Sequence, residues 1–274
     1  MAAVIDAITD KISAGVPHAE NEYLGEDGLL HCALCNGKVQ TEVEFLGVKK
    51  VVRCICDCRR NELDAHKEKE RQEELERKRR ICFAETNMAN WTFENDDRRD
   101  EKMSNAMLNY VKNFADFKKA GKGLLLYGTV GTGKTYFAAA IANALIEKNY
   151  SVLMTNFARL TNTIQGMYEG KQEFIDSLNK YSLLILDDLG AERKSEYMQE
   201  MVFNIIDSRY RSGLPFIVTT NLTAEEIKKP QEICYSRIYD RVLERCFPVK
   251  IEGESRRRQN LKDTFSDVKE KLGL

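Results

Sequence analysis

The residues best suited to chemistry lie between positions 128 and 135, where the sequence reads GTVGTGKT and fits the pattern GxxxxGKT. In this pattern, glycines let backbone N–H groups turn towards an anion, the lysine neutralises phosphate charge and the threonine hydroxyl is a ligand for Mg²⁺. The strand-like run LLLY precedes it and the helical run YFAAAIANALI follows, which argues against a chance glycine-rich turn. The pattern therefore predicts a site for ATP or ADP with Mg²⁺. Its residues, with the next one along the chain, are Gly128, Thr129, Val130, Gly131, Thr132, Gly133, Lys134, Thr135 and Tyr136.

Two acidic residues end the apolar run from Leu183 to Leu186. Carboxylates beside a core cost free energy unless a partner compensates them. With a phosphate loop upstream, we expect Asp187 to lie on the metal side and Asp188 to orient or deprotonate the attacking water. A solvated loop after a strand is the plainer alternative.

Asn221 follows the strand-like run PFIVTT, where its amide could reach the γ-phosphate or hold the attacking water. A turn-forming asparagine is the alternative. Further on, Arg237, Arg241 and Arg245 recur at a spacing of four and share one helical face. Such a row of arginines is typical of a solvated helix surface.

Five of the eight cysteines lie between Cys32 and Cys58. Cys32 and Cys35 form a CxxC pair, and Cys54, Cys56 and Cys58 supply three candidates for the second half of a site. Four thiolates in a tetrahedron suit Zn²⁺, and a segment this short hardly builds a core without a metal. Reduced, packed thiols are the alternative.

Composition is that of an ordinary globular protein of 274 residues, with 43% hydrophobic and 31% charged residues. No window approaches the roughly 20 apolar residues that cross a bilayer, and no secretory signal pattern opens the chain. We therefore expect a cytoplasmic protein with no membrane contact. The net charge of −1 leaves nucleic-acid binding to local basic patches.

Pattern changes divide the chain into three parts. Residues 1–58 hold an amphipathic N-terminal helix and the cysteine module, which reads as a zinc ribbon; residues 59–90 alternate both charge signs and predict a solvated helical linker. Residues 91–274 alternate strand-like and helical runs, which predicts an α/β domain with a parallel sheet. Its expected strands are 123–127, 151–155, 183–187, 215–220 and 247–251.

Together these motifs resemble the replicative-helicase loaders of the DnaC/DnaI type, which are AAA+ ATPases of bacteria and phages. The resemblance extends from Cys32 onward. Its motifs are the cysteine module, WTFEN, GTVGTGKT, LLILDDLGAE, VTTNL and SRIYDR. It implies an AAA+ P-loop NTPase domain with a parallel five-stranded sheet, preceded by a small zinc-binding domain. It also implies binding to a hexameric DnaB-type helicase and its deposition on single-stranded DNA.

Several residue roles follow from the resemblance alone. Family members end the cysteine module in Cys-x-Cys followed by basic residues, which implies Cys56 and Cys58 as ligands with Cys54 as the alternate. The Thr-Phe-Glu segment of the family lies near the adenine, which makes Phe93 a candidate base contact. Asn221 resembles the sensor position of AAA+ ATPases.

AAA+ assemblies supply an arginine to the nucleotide of the neighbouring subunit. The resemblance places this role on Arg241 first and Arg237 second, and implies self-association through the ATP sites. Asp188 stands where many AAA+ proteins have glutamate, and its shorter reach predicts slow, switch-like hydrolysis.

Contacts with single-stranded DNA are expected between the second and third strands, where similar initiators carry an extra helix lining a DNA channel. Candidates there are Arg159, Tyr168 and Lys171, and a plain covering helix is the alternative. The run 256–258, which is Arg256, Arg257 and Arg258, is a second basic spot or a solvated tail.

Two other functions compete with helicase loading. An IstB-like transposition accessory ATPase shares the motif set, although the cysteine module argues against it. An adaptor that binds ATP without hydrolysing it is the other.

Overall fold

The computed structural model describes residues 21–45, 47–84, 87–191, 195–230 and 232–255, with separate positions among residues 7–16 and 265–272. The basic run at 256–258 and most of the expected N-terminal helix, including Val4, Ile5, Ile8 and Ile12, lie outside the described residues. Contacts divide the chain into two compact units, 1–74 and 75–274. Within the described part, no helix is long and apolar enough to cross a membrane.

The first unit contains two antiparallel hairpins. Strands β1 (Glu22–Leu24) and β2 (Leu30–Cys32) make one, and β3 (Gln40–Phe45) and β4 (Val48–Arg53) make the other. Its buried apolar cluster is small and consists largely of cysteine. The fully buried members are Cys32, Val39 and Cys56.

Helix α1 (Asp57–Phe83) is the charged helix that the sequence predicts. Its first turns are exposed and carry ion pairs three or four residues apart, such as Arg59–Glu62 and Lys69–Glu73. Each such pair contributes roughly 0.2–0.5 kcal/mol, so together they favour a helix that buries little surface. Only Leu75, Cys82 and Phe83 are buried along it.

The second unit is an α/β domain with a five-stranded parallel sheet in the order β6-β7-β8-β5-β9. The strands fall within two residues of the expected positions. They are β5 (Gly123–Tyr127), β6 (Val152–Asn156), β7 (Leu183–Leu189), β8 (Phe216–Thr220) and β9 (Cys246–Lys250). The helices are α2 (Glu101–Lys112), α3 (Phe114–Ala120), α4 (Lys134–Glu147), α5 (Phe157–Gln165), α6 (Lys171–Ser177), α7 (Glu196–Ser212), α8 (Ala224–Lys228) and α9 (Ile233–Arg245).

Both faces of the sheet are covered, because successive strand residues belong to different cores. On β5, Leu124 and Leu126 pack with α2 and α4, whereas Leu125 packs with α5, α7 and α9. Burying one such side chain stabilises the fold by about 1.5–3 kcal/mol. Burial on both faces explains why these strands read as continuous apolar runs.

Strands β5 and β8 approach each other closely at Gly123. A Cβ atom at this position would lie 1.6 Å from the carbonyl oxygen of Phe216. No side chain fits there without separating the strands. The pairing from Leu124 with Ile217 to Tyr127 with Thr220 follows directly, and it fixes the relative positions of the two strand ends.

Candidate nucleotide site and cysteine cluster

The glycine loop joins the end of β5 to the start of α4. Gly128, Gly131 and Gly133 have φ values of 146°, 87° and 102°, a region that L residues rarely adopt. A Cβ atom at Gly128 would also lie 2.2 Å from the carbonyl oxygen of Ile251. These positions therefore require glycine, and they turn the loop into the N-terminus of α4, where free N–H groups and the helix dipole favour an anion.

Lys134 is the first residue of α4 and is 5% exposed. Its Nζ donates to the carbonyl oxygens of Gly128 and Thr129, at 2.9 and 2.7 Å. Within the loop, the Thr132 hydroxyl donates to the carbonyl of Thr129 at 3.0 Å. The ammonium group is therefore held inside the curve of the loop, where a phosphate group would meet it.

Asp187 lies in the buried run of β7. Burial raises the pKa of Asp187 above its ordinary value, while the hydrogen bond from Thr219 and the nearby Thr135 side chain oppose the rise. A carboxylate and a neighbouring threonine hydroxyl are the oxygen donors that Mg²⁺ takes beside a triphosphate. The predicted metal pair is thus brought together.

The pairing of β7 with β8 is irregular where the two acids lie. Leu186 pairs with Val218 and Leu189 with Thr220, so two residues of β7 face one residue of β8. That residue, Thr219, is fully buried. Its hydroxyl donates to Asp187 Oδ1 at 2.6 Å and accepts the backbone N–H of Asp188 at 2.9 Å.

A cleft of about 390 Å³ opens beside the loop. Asp188 is exposed and lines it, together with Asn221 at the end of β8. The full lining is Trp91, Asn95, Asp97, Val130, Gly131, Gly133, Lys134, Thr135, Tyr136, Asp188 and Asn221. The fold therefore brings most of the sequence-predicted residues to one cavity.

Of the two aromatic residues in WTFEN, Trp91 lines this cleft and Phe93 does not. Both side chains pack against the same hydrophobic core. The Trp91 ring lies 5.9 Å from the Tyr136 ring, and the Tyr136 hydroxyl donates to the carbonyl of Thr92 at 2.7 Å. The WTFEN segment therefore reaches the cleft through Trp91, and the expected base contact of Phe93 stays a prediction.

The arginines of α9 differ in their surroundings. Arg241 Nε donates to Asp207 Oδ1 at 2.7 Å, and its guanidinium lies over the Phe203 ring at 4.6 Å. Arg237 is exposed and, among the described residues, its side chain has no ion pair. Arg241 is thus engaged within its own domain, whereas Arg237 is exposed, and the role of either arginine at a neighbouring nucleotide stays a prediction.

The four expected cysteines meet in the first unit. The Sγ atoms of Cys32, Cys35, Cys56 and Cys58 all lie within 4.8 Å of one another. A tetrahedral zinc with Zn–S bonds of about 2.3 Å places its sulfurs roughly 3.8 Å apart, so the cluster fits this metal. A backbone hydrogen bond from Cys58 lowers the pKa of Cys35 to about 7, which favours the thiolate that a metal requires.

Cys54 and His31 lie beside the cluster without joining it. The Cys54 thiol donates to the carbonyl of Lys38 at 3.4 Å. Both His31 ring nitrogens are engaged, with Asp27 Oδ1 at 2.9 Å and the carbonyl of Asn36 at 3.0 Å. Of the three cysteines in the second half, Cys54 is thus the one left over.

The expected DNA-binding residues lie on α5, on α6 and in the loop between them. Tyr168 is fully exposed in that loop, which excludes a core role. The Lys171 ammonium lies over the Tyr197 ring at 5.7 Å. Arg159 is in the first turn of α5 and lines an open hollow with Arg80. Two helices lie between β6 and β7, where one extra helix was expected, and contact with DNA stays a prediction.

Sheet order, glycine loop and acidic strand end define an ATP-binding P-loop domain of the AAA+ class. A family model described as IstB-like ATP binding protein matches residues 38–264, and the chain belongs to this family.

The chain is similar to two curated proteins and to one solved structure. It is 33% identical over 162 residues to the replicative helicase loader DnaI of Bacillus subtilis, a match covering 54% of this chain and 51% of that protein. It is 32% identical over 147 residues to a Sinorhizobium fredii protein provisionally named an insertion sequence ATP-binding protein, covering 51% and 48%. A crystal structure of DnaI matches with a TM-score of 0.51 and 29% identity, covering 62% of this chain and 92% of that one. The chain thus spans about half the length of these curated relatives, and the resemblance to loaders is confirmed.

Proposed function

We propose that this protein is an ATP-dependent loader that binds a DnaB-type replicative helicase and helps place it on single-stranded DNA in the cytoplasm during replication initiation. One observation carries the proposal: a four-cysteine cluster forms a unit of its own ahead of a P-loop domain similar to that of DnaI. In this proposal the cysteine unit binds Zn²⁺ as a structural ion and contacts the helicase. The P-loop domain responds to nucleotide and DNA.

The nucleotide would be held by the residues that the fold gathers at the cleft. The loop N–H groups and Lys134 bind the phosphates, and Thr135 with Asp187 holds Mg²⁺. Mg²⁺, when bound, neutralises charge on the phosphate oxygens. Asp188 and Asn221 orient the attacking water, and Trp91 contacts the base.

Hydrolysis to ADP and phosphate would be slow and switch-like, because the Asp188 side chain is shorter than glutamate. Arg237 of one subunit would reach the nucleotide of the next, with Arg241 as the second candidate. The active form is then an oligomer assembled through its ATP sites. Between β6 and β7, the exposed Tyr168 offers a ring for a base, and Arg159 and Lys171 offer charge for the backbone.

A second candidate is an accessory ATPase of transposition. It is favoured by the family match and by the insertion sequence relative, which is nearly as similar in sequence as DnaI. The cysteine cluster favours the loader.

Capture on an immobilised DnaB-type hexamer, with and without ATP and Mg²⁺, tests the proposal. We expect retention of the intact chain and of Lys134→Ala, with only the intact chain responding to ATP. A Cys32→Ser variant should lose retention while still binding nucleotide. Failure of the hexamer to retain the intact chain in either condition, with retention by a transposase instead, would establish the second candidate.

A further inference from the structure

We propose that Thr219 is a positioning residue for both carboxylates of the nucleotide site. Its single hydroxyl directs the Asp187 carboxylate and holds the Asp188 peptide so that the Asp188 side chain faces the cleft. The inference rests on the proposed ATP site and adds a residue that contacts neither nucleotide nor metal.

The first support is the environment of the hydroxyl. Thr219 is fully buried in β8, and Asp187 is 9% exposed. The hydroxyl proton is directed at Asp187 Oδ1, at 2.6 Å, because the oxygen already accepts the Asp188 N–H at 2.9 Å. With one oxygen of Asp187 fixed by Thr219, the rotation of the carboxylate is fixed as well. The carboxylate then stays on the side of the nearby Thr135.

The second support is the backbone of the acidic pair. Asp188 has a φ of +58°, the left-handed region that a residue with a side chain enters at a cost in free energy. The irregular pairing of Leu186 and Leu189 with β8 leaves the Asp188 N–H without a strand partner, and the Thr219 hydroxyl takes its place. In a regular strand, neighbouring residues point to opposite faces. The irregularity instead brings Asp188 to the cleft while Asp187 stays beside Thr135.

The proposed role therefore requires a hydroxyl group at position 219. Valine has the same shape and suits a strand, but it would leave Asp187 Oδ1 and the Asp188 N–H without this partner. Serine keeps the hydroxyl and loses only a methyl group. The neighbouring Thr220 is an internal control: it is 1% exposed, and its hydroxyl donates to the carbonyl of Leu189 and accepts from Leu222 N–H, contacting neither acid.

The experiment measures binding of fluorescent ADP to the full chain as Mg²⁺ is titrated, for Thr219→Val, Thr219→Ser and Thr220→Val. We expect the Mg²⁺ concentration at half-saturation to rise about tenfold or more in Thr219→Val, the effect of losing one hydrogen bond to a charged group. ADP binding without Mg²⁺ should be unchanged. In Thr219→Ser, the Mg²⁺ concentration at half-saturation should stay within about threefold of the value for the intact chain. The same holds for Thr220→Val, even if this variant lowers the melting temperature as much as Thr219→Val does.

An equal Mg²⁺ requirement in Thr219→Val and Thr220→Val would overturn the inference, as would failure of serine to restore the intact behaviour. If Thr219→Val does not fold, the Mg²⁺ requirement is compared between Thr219→Ala and Thr220→Ala instead, and the same outcomes decide the inference. If the intact chain binds ADP no better with Mg²⁺ than without it, the proposed ATP site itself is refuted.

Discussion

Arg241 and Asp207 form an ion pair between α9 and α7, with Nε 2.7 Å from Oδ1. The Asp207 side chain is 15% exposed, and the guanidinium also lies over the rings of Phe203 and Tyr210. The contacts tie two helices of one subunit together. Arg237, one turn earlier in α9, is exposed, and we therefore proposed it as the first candidate for reaching a neighbouring subunit.

Alanine substitutions at the two arginines should separate these roles. Arg241→Ala should lower the free energy of unfolding by about 1 kcal/mol, because it removes the stacking and one of the two arginines paired with Asp207, the other being Arg211. Arg237→Ala should leave stability unchanged and lower ATP turnover at protein concentrations that allow assembly. Thermal unfolding and turnover, measured for both, check the assignment. The reverse pattern would return the role to Arg241.

Zinc content should distinguish clustered from unclustered cysteines. The intact chain should retain about one Zn²⁺, and Cys54→Ser should retain the same amount because its thiol bonds the carbonyl of Lys38. Cys35→Ser should lose the metal and, with it, the folded hairpins, since so small a core depends on it. Metal analysis after dialysis and far-ultraviolet circular dichroism measure both effects. Zinc loss from Cys54→Ser would show that the cluster uses a different set.

Substitutions at Asp188 test whether reach limits hydrolysis. Asp188→Asn should keep nucleotide binding and lower turnover at least about a hundredfold, the usual contribution of a general base. Asp188→Glu should raise turnover, because its carboxylate extends one carbon further into the cleft. A steady-state phosphate-release assay, with fluorescent ADP binding as the control, measures this. Lower turnover in the glutamate variant would mean that the left-handed backbone at this position matters more than length.

Trp91 provides a direct report of nucleotide binding. It is the single tryptophan of the chain and lines the cleft beside Tyr136. Adding ATP with Mg²⁺ should therefore change its emission, and Lys134→Ala should abolish the change at the same nucleotide concentration. Trp91→Phe should bind nucleotide with an affinity within about tenfold of the intact chain, because a stacking ring remains. An unchanged spectrum at saturating ATP would place the base elsewhere.

Tyr168 should matter for single-stranded DNA and not for folding. Its complete exposure means that Tyr168→Ala should leave the melting temperature unchanged. The same variant should weaken binding to a single-stranded oligonucleotide by about tenfold, since one base–aromatic stack contributes about 1–3 kcal/mol. Tyr168→Phe keeps the ring and should bind as the intact chain does. Fluorescence anisotropy at two salt concentrations separates stacking from charge. Equal affinity of the alanine variant would favour a simple covering role.

Local patterns predicted much of this fold. Apolar runs gave all five strands within two residues, and the glycine loop lies between a strand and a helix as its context indicated. The cysteine spacing, aided by the family resemblance, selected the four thiols that meet. These features depend on residues near each other in the chain, where periodicity and spacing carry the information.

Features that depend on pairing between distant segments could not be predicted in this way. The role of Thr219 requires the register of β8 against β7, and no local pattern encodes the irregularity between Leu186 and Leu189. The contact that engages Arg241 likewise depends on Asp207, which lies 34 residues from it. Within WTFEN, both aromatic residues fit the motif, and only the folded structure shows that Trp91 lines the cleft.

The absence of a side chain at Gly123 affects both ends of strand β5. Where β5 enters the sheet, it allows almost no gap to β8. Where the two strands leave the sheet, they present the phosphate loop and Asn221. A single methyl group at position 123 would separate the two strands at this end. The separation would also shift Gly128, five residues later, relative to Asn221. Gly123 therefore helps to set the width of the cleft although it does not line it.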